Sequence, residues 1–209
     1  SLGARGISML LVKPGTPGFT IESMGDKMGL RGTFHGILRF RDCRVPVENL
    51  LGKEGEGLDI ATKSYLDPMV MCCSVDFLGA SEKLLELSAR WAQTRVTFGR
   101  PIADRQAVKQ MLADMAVDIQ ALKCMIRECA QKFDRGESIA VDAAMCKLFG
   151  SEAAKRVSDQ ALLIHGGMGY TKLLPVERIY RDIRSLWFEE GTPTIQRLVI
   201  ARDVMDRLG

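Results

Sequence analysis

Two adjacent carboxylates, Glu189 and Glu190, stand in the segment WFEEGTPTIQR, which spans residues 187–197. The Gly-Thr-Pro that follows them is typical of a turn that opens a helix, with Thr192 as the N-cap and Pro193 in the first helical position. Free backbone N–H groups at a helix start favour the charged form of a carboxylate. One acid could therefore act as a general base that takes a proton from a substrate. A solvated loop between two helices is the alternative, and it stays open at this point.

Two other segments between expected helices carry residues suited to an anionic or flat ligand. The first, RVTFGRP, contains Arg95 and Thr97, which offer a forked cationic donor and a neutral hydroxyl donor. The second, HGGMGY, contains Gly166 and Gly167, where the backbone allows a ligand to approach closely. Each segment alone is equally compatible with a plain interhelical turn or a helix stop.

Composition excludes several classes of function. The 209 residues are 46% hydrophobic and 26% charged, with a formal net charge of +3. These values are typical of a globular protein and do not point to nucleic acid or an anionic membrane as a partner. No apolar run reaches the roughly 18 residues of a membrane-spanning helix. Six cysteines without C-x-x-C spacing, and only two histidines, argue against a metal site and for buried thiols in a reducing compartment.

The first quarter of the chain has the pattern of short β-strands. Three apolar runs, Ile7–Val12, Phe19–Ile21 and Gly36–Phe40, are separated by Pro-Gly and Gly turn signals. The first run is already under way a few residues from the N-terminus. We therefore expect this part to belong to a larger β domain and the chain to be a fragment of something longer.

From Gly55 onward, apolar residues recur at helical spacing and predict two long antiparallel helices. Pro68 near the start of the first implies a kink or a first-turn position. An Ala-rich helix over about 138–164 follows, then shorter helices over about 174–187 and 193–208. The apolar stripes are Val70, Cys73, Phe77, Ala80, Leu84, Leu87 and Trp91 in the first helix, Val108, Met111, Leu112, Met115, Ile119, Leu122 and Ile126 in the second, and Ala144, Leu148, Val157 and Ala161 in the third.

This pattern predicts a mainly α fold in two parts. Residues 1–52 form the C-terminal part of a β domain, and residues 53–209 form an antiparallel helical bundle. The apolar stripes themselves indicate core packing and no chemistry.

Taken together and in order, the segments between the helices resemble the C-terminal half of the acyl-CoA dehydrogenase family. The motifs that carry the resemblance are Arg95-x-Thr97-Phe98-Gly99, Gln106, His165-Gly166-Gly167-Met168-Gly169-Tyr170-Thr171 and Glu190-Gly191-Thr192. The β segment agrees, because KMGLRG at 27–32 and VPVENLLG at 45–52 resemble the end of the family's middle β domain. The resemblance covers nearly the whole chain.

The resemblance implies a flavoprotein oxidoreductase of fatty-acid or amino-acid catabolism. The family fold implies a helical bundle behind a β domain and a homotetramer built as a dimer of dimers. It also implies FAD as cofactor, an acyl-CoA thioester as the substrate oxidised to 2-enoyl-CoA, and electron-transfer flavoprotein as acceptor. The expected location is the bacterial cytoplasm or the mitochondrial matrix. The activity of the 209-residue chain alone is doubtful, since the family's N-terminal helical domain also lines both pockets.

The resemblance also implies roles for individual residues. Glu190 matches the catalytic base, and the other positions match ligand contacts. FAD contacts are implied at Arg95, Thr97, Phe98, Gln106, Leu163, Gly166, Gly167, Thr192 and Thr194, and substrate contacts at Asp67, Val70 and Gly191. Arg95, Thr97 and Phe98 match the segment that meets the FAD of a neighbouring subunit. Val70 and Leu163 depart from the family pattern, which often has Arg and Gln there. A branched-chain subgroup carries its base at the position of Met69, which cannot serve as one.

Two other functions remain open at this stage. One is a flavoprotein of the same fold that works as an oxidase or monooxygenase, although such relatives often lack the acid at the position of Glu190. The other is a non-catalytic helical module that mediates oligomerisation. A flavin absorbance spectrum would distinguish these classes.

Overall fold

A computed structural model describes residues 3–209, apart from the side chains of residues 4, 5, 63 and 64. The chain forms two compact units, Ser1–Asp67 and Pro68–Gly209. The predicted β domain, residues 1–52, includes Ser1 and Leu2, which lie outside the described residues. Its boundary at residue 52 lies inside the first unit and stays a prediction.

The first unit contains short antiparallel strand pairs. Its strands are β1 (Met9–Leu10), β2 (Phe19–Ser23), β3 (Gly36–Phe40) and β4 (Leu50–Leu51). β1 pairs with β4, and β2 pairs with β3 so that Phe19 lies opposite Phe40 and their rings stack at 4.9 Å. The third predicted strand is confirmed and the second extends to Ser23. The first is shorter than predicted because its only described partner, β4, is two residues long.

Six α-helices follow the strands of the first unit. They are α1 (Gly57–Ala61), α2 (Asp67–Thr94), α3 (Gln106–Asp134), α4 (Ala140–His165), α5 (Val176–Ser185) and α6 (Pro193–Leu208). The predicted helices are all present, with α5 shorter at both ends than expected. Pro68 is the second residue of α2, which directly follows a π-helical segment, Thr62–Leu66, that continues from α1. The missing N–H of Pro68 therefore falls where the regular pattern of helical hydrogen bonds is already interrupted.

The long helices run antiparallel, as the sequence predicts. Ile102 donates a backbone hydrogen bond to Arg95 near the α2–α3 connection, and farther along the two helices Lys123 pairs with Glu82. In the same way, an ion pair links α3 and α4 near their connection, with Lys132 Nζ 2.5 Å from Asp142 Oδ1. The bundle is therefore an up-and-down arrangement joined by short loops.

Two hydrophobic clusters fill the second unit. One contains Phe77, Leu122, Ile126, Cys129, Cys146 and Ile183, and the other contains Leu84, Met115, Ile119, Val157, Ala161 and Val176. Most of the predicted stripe residues belong to these clusters. Six of the predicted stripe residues are only half-buried, namely Ala80, Leu87, Trp91, Met111, Leu112 and Leu148. Gly150 lets α4 pack closely against α2 and α3, because a Cβ there would lie 3.2 Å from Leu122 of α3 and 3.3 Å from Phe77 of α2.

None of the helices in the described part of the chain combines the length and apolar character that a bilayer crossing requires. Across residues 3–209, no three His, Cys, Asp or Glu side chains are grouped so that they could hold a metal ion.

Candidate functional site

The loop that carries the two acids connects α5 to α6 and has an unusual backbone. Glu190 has φ +49° and Gly191 has φ +88°, two successive residues in the left-handed region. For a residue with a side chain this conformation costs about 1–2 kcal/mol. The surrounding structure must supply the contacts that hold Glu190 in it.

Lys147 supplies part of this support from α4. Its side chain is only 1% exposed, and its ammonium donates hydrogen bonds to the backbone carbonyls of Glu189 and Gly191, the latter at 2.7 Å. These two carbonyls flank Glu190 on either side. A buried cation is stable only when polar partners replace its water, and the loop carbonyls do so here.

Gln196, in the first turn of α6, supplies the other contacts that hold the loop around Glu190. Its side chain is 3% exposed, and its amide nitrogen lies 3.0 Å from the Glu190 carbonyl and 3.2 Å from the Gly191 carbonyl. Three consecutive loop carbonyls, those of Glu189, Glu190 and Gly191, are thus bound by two buried side chains. We call Lys147 and Gln196 together the carbonyl clamp.

The structure separates the two acidic side chains. The Glu189 carboxylate accepts a 2.6 Å hydrogen bond from the Ser185 hydroxyl at the end of α5. The Glu190 side chain is half-buried, and in the described part of the chain its carboxylate has no hydrogen-bond or ion-pair partner. The Glu189 carboxylate is therefore tied to α5, whereas the Glu190 carboxylate is not tied in this way.

The clamp lies in a low-dielectric environment that includes Cys73 of α2. Burial raises the pKa of the Cys73 thiol to about 11, so the thiol stays neutral. Burial lowers the pKa of the Lys147 ammonium, and the carboxylates of Glu190 and Glu189 act in the opposite direction. The nearby carboxylates therefore help to keep Lys147 charged in a buried position.

The start of α6 matches the prediction in part. Thr192 is the N-cap and Pro193 follows it, as expected. The Thr192 side chain makes no capping hydrogen bond, although its backbone has the extended conformation usual for an N-cap. Thr194 is exposed on the first turn of the helix.

The predicted turn between α2 and α3 is a small β-hairpin. β5 (Val96–Thr97) pairs with β6 (Arg100–Pro101), and Phe98 and Gly99 form the two-residue loop with φ values of +50° and +77°. Two positive φ values in succession are typical of the type I′ turns that suit such hairpins. The Phe98 side chain is 97% exposed, so the hairpin presents an aromatic ring to the outside.

Beside this hairpin lies a cleft of about 530 Å³. The residues that line it come from the end of α2, the hairpin and the end of α4. They are Trp91, Arg95, Thr97, Ile102, Ile164, His165, Gly166, Gly167, Met168 and Thr171. The structure thus brings Arg95, Thr97 and the two predicted glycines together. Leu163 and Tyr170, together with the same two glycines, line a second depression that includes neither Arg95 nor Thr97.

The glycine pair faces open space. Gly166 has φ +59°, and a Cβ added to Gly166 or Gly167 would meet no atom of the described residues within 4 Å. The internal packing of the chain therefore gives no reason for glycine at position 167. Close approach of a ligand to the backbone is a reason that fits this geometry.

His165 forms part of the wall of the cleft. The residue is 6% exposed, its ring stacks on Trp91 at 5.3 Å, and its Nδ1 lies 2.8 Å from the Ala161 carbonyl. Because a carbonyl only accepts, Nδ1 carries the hydrogen. Burial lowers the pKa of the His165 imidazole, so the ring is neutral near pH 7.

Four predicted site residues, Phe98, Gln106, Val70 and Asp67, are not among the residues that line the cleft. Phe98 and Gln106 are exposed and do not line the cleft. Val70 is 7% exposed and packs in the core with Phe77, so its side chain is not presented to a ligand. Asp67 is half-buried in the first unit, where burial raises the pKa of its carboxyl.

Sequence reasoning missed Lys147, Gln196, Ser185 and Arg105. Arg105 donates a 2.7 Å hydrogen bond to the Thr97 carbonyl and lies 5.7 Å from the centre of the Phe98 ring, which stabilises the hairpin. A signal for Lys147 was present, because it stands on the same helix face as the fully buried Ala143 and Ala144. A lone lysine on an apolar face is a candidate for a specific buried contact.

Comparison with known proteins extends this description. Residues 55–205 match the family described as acyl-CoA dehydrogenase, C-terminal domain. An acryloyl-CoA reductase (NADH) from Anaerotignum propionicum is 42% identical over 205 residues, which are 98% of this chain and 52% of the relative. The mitochondrial short-chain specific acyl-CoA dehydrogenase of Homo sapiens is 40% identical over 201 residues, which are 96% of this chain and 48% of the relative.

A solved structure, butyryl-CoA dehydrogenase from Megasphaera elsdenii, matches with a TM-score of 0.92 and 36% identity. The match covers 97% of this chain and 53% of that chain. It confirms the predicted fold, a β segment followed by a helical bundle. The chain spans about half the length of the curated relatives it matches.

Proposed function

Because the chain belongs to the acyl-CoA dehydrogenase family, as its motifs predicted, we propose that it forms the C-terminal part of an FAD-dependent acyl-CoA dehydrogenase. The reaction is the oxidation of an acyl-CoA thioester to the 2-enoyl-CoA. The single observation that carries this proposal is the half-buried Glu190 carboxylate, held on a strained loop without a partner of its own in the described residues.

Glu190 is the base in this proposal. The hydrogen on the carbon next to a thioester is weakly acidic, so its removal needs a carboxylate within hydrogen-bond reach. A carboxylate that already accepts a short hydrogen bond is held away from the substrate and is a weaker base. Glu189 accepts such a bond from the Ser185 hydroxyl, whereas no described residue donates to the Glu190 carboxylate, and Gly191 is proposed to leave room beside it for the substrate.

The cleft between the hairpin and the end of α4 fits part of a dinucleotide. Its walls of Trp91 and Ile164 suit a flat ring, and the exposed Arg95 guanidinium suits a phosphate. Gly166 and Gly167 leave space for close approach. When bound, FAD supplies the hydride acceptor for the substrate carbon adjacent to the one that is deprotonated. Thr192 and Thr194 at the start of α6 are further proposed contacts, as are Leu163 beside the glycines and Phe98 and Gln106 toward the FAD of a neighbouring subunit.

We propose Asp67 and Gly191 as substrate-side residues. Val70, which the resemblance also placed there, is buried in the core and is not proposed as a contact. Electron-transfer flavoprotein is the proposed electron acceptor and a homotetramer the proposed assembly. Relatives from Bacillus subtilis and from mitochondria support the bacterial cytoplasm or the mitochondrial matrix as the location.

The name of one relative, acryloyl-CoA reductase (NADH), favours a second candidate function. It describes reduction of a 2-enoyl-CoA, in which the same carbon–carbon bond reacts in the opposite direction. Glu190 would then return a proton to the carbon next to the thioester instead of removing one. The two directions differ in electron partner and not in the residues described here.

Substrate bleaching of the flavin tests the proposal. The holoenzyme is expected to contain FAD, and its flavin absorbance should fall within seconds when butyryl-CoA is added without oxygen. A holoenzyme whose flavin bleaches only with NADH, and reoxidises with crotonyl-CoA, would identify the reductase direction. A protein that carries no flavin would contradict both functions and favour the non-catalytic module.

A further inference from the structure

We propose that Lys147 and Gln196, the carbonyl clamp, are positioning residues that fix the direction of the Glu190 side chain. The inference rests on the proposed role of Glu190 as the base. It adds two residues to that role, one on α4 and one on α6, neither of which touches the substrate in this proposal.

The clamp acts on backbone atoms and leaves the carboxylate unused. Lys147 binds the carbonyls of Glu189 and Gly191, and Gln196 binds those of Glu190 and Gly191. A lysine so close to two carboxylates would normally form an ion pair with one of them. In the described structure Lys147 is paired with neither, so its charge organises the loop without neutralising the base by direct contact.

The conformation that the clamp holds is one that Glu190 would not keep by itself. Its φ of +49° places the side chain on the opposite side of the backbone from where a relaxed residue would place it. Without donors for the three carbonyls, the loop would return toward φ values below zero. The carboxylate would then move away from the position that the turn at Gly191 leaves open.

A plain structural role for Lys147 is the competing explanation, and chemistry argues against it. Burying an ammonium is costly, and a neutral donor would suffice to cap one carbonyl. Lysine at 147 instead binds two carbonyls that flank a single residue, and Gln196 binds the carbonyl of that same residue. Both buried donors converge on Glu190.

The experiment compares Lys147→Met with wild-type holoenzyme. Methionine keeps roughly the length of the lysine side chain and removes the ammonium group that donates to the two carbonyls. We expect FAD content and the affinity for crotonyl-CoA to stay within about threefold, because neither ligand is bound by Lys147. The rate of anaerobic flavin bleaching by butyryl-CoA should fall by about ten- to a hundredfold, the range for a misplaced reacting group.

Hydrogen exchange provides a readout that does not depend on activity. In Lys147→Met the backbone amides of Trp187, Phe188 and Gln196, which are hydrogen-bonded on either side of the loop, should exchange faster than in wild type, while those of the α3 core stay protected. Lys155→Met is the matched control, because Lys155 is an exposed lysine on the same helix. It should change neither the bleaching rate nor exchange in the loop.

Gln196→Met tests the clamp from the other side and decides the question if Lys147→Met loses its flavin or fails to fold. It should slow bleaching and speed loop exchange in the same direction. Bleaching at the wild-type rate in the folded Lys147→Met enzyme would overturn the proposal, even with faster exchange. So would wild-type bleaching in Gln196→Met when the lysine variant does not fold.

A double variant separates this inference from the function on which it rests. If the clamp acts through Glu190, Lys147→Met added to Glu190→Gln should cost little beyond Glu190→Gln alone. A full additional loss would mean that Lys147 acts elsewhere and would overturn the inference. Wild-type bleaching in Glu190→Gln would instead contradict the proposed function, whatever Lys147→Met does.

Discussion

The Ser185 hydroxyl donates a 2.6 Å hydrogen bond to the carboxylate of Glu189, the residue directly before Glu190. This contact gives two neighbouring and chemically identical side chains different surroundings. Glu189 closes the end of α5, while the left-handed backbone at Glu190 directs the second carboxylate elsewhere. The predictions below follow from this division and from the cleft beside the hairpin.

Gly191→Ala should damage the loop through the backbone. Gly191 has φ +88°, and an added Cβ would lie 2.9 Å from the Gln196 amide nitrogen and 3.3 Å from Ile195 Cγ2. We expect a loss of about 1–3 kcal/mol in the free energy of unfolding, the scale of a strained residue, and slower bleaching. Urea unfolding of the purified variant measures the first effect.

Gly79→Ala is the control for that substitution. Gly79 lies within α2, and a Cβ there meets no described atom within 4 Å. Alanine should raise stability by up to about 1 kcal/mol, because it is a better helix former than glycine. Equal stability of Gly191→Ala and wild type would show that the loop adapts and is not held as described.

Arg95→Ala should weaken retention of FAD in the holoenzyme. Arg95 lines the cleft beside Thr97 and Gly166 and offers a forked donor to a phosphate. The loss of binding free energy should be about 1.5–3 kcal/mol, the scale of a hydrogen bond to a charged group. Arg95→Lys should recover only part of it, because a point charge does not reproduce the fork.

Equilibrium dialysis with FAD measures the effect, and Arg90→Ala is the control. Arg90 stands on the same helix and pairs with Glu86 at the surface, outside the cleft. Unchanged FAD affinity in Arg95→Ala would show that Arg95 is only a turn residue.

His165 should make stability depend on pH in mildly acidic solution. Burial lowers its pKa below the ordinary value of 6.5, so the unfolded chain binds a proton more readily than the folded chain. The stabilising contribution is therefore complete above about pH 6.5 and is lost as the pH falls through the folded-state pKa. His165→Phe keeps a ring against Trp91 and removes the titrating group.

Thermal midpoints of the flavin-free protein between about pH 7.5 and about pH 5 check this dependence. As the pH falls across this range, the thermal midpoint of wild type should decrease more than that of His165→Phe. The second histidine, His35, is exposed, and His35→Phe serves as the control. Parallel curves for wild type and His165→Phe would contradict the buried neutral state of His165.

The elements that could be predicted from sequence are those whose signals are local. The stripe from Val70 to Trp91 marks α2, and the Thr192-Pro193 pair marks the start of α6, because helix periodicity and capping involve only neighbouring residues. The glycine pair marked the end of α4 and one wall of the cleft for the same reason.

The carbonyl clamp could not be predicted because it joins distant parts of the chain. Lys147 and Glu189 are 42 residues apart, and nothing near Lys147 in the sequence names its partner. The left-handed conformation of Glu190 was also hidden, since glutamate has no local preference for it. Val70 shows the converse error, because a position matched to the family's substrate contacts proved to be core.

Flavin bleaching in Glu190→Gln and Glu189→Gln holoenzymes tests the central claim most directly. Both substitutions keep size and remove charge, so each should leave the fold, FAD and acyl-CoA binding intact. On anaerobic addition of butyryl-CoA, Glu190→Gln should bleach at least about a hundredfold more slowly than wild type, the usual scale for removing a general base. Glu189→Gln should change the rate by only a few fold, because its amide oxygen still accepts from Ser185. Bleaching of Glu190→Gln at the wild-type rate, or failure of Glu189→Gln in its place, would contradict the account.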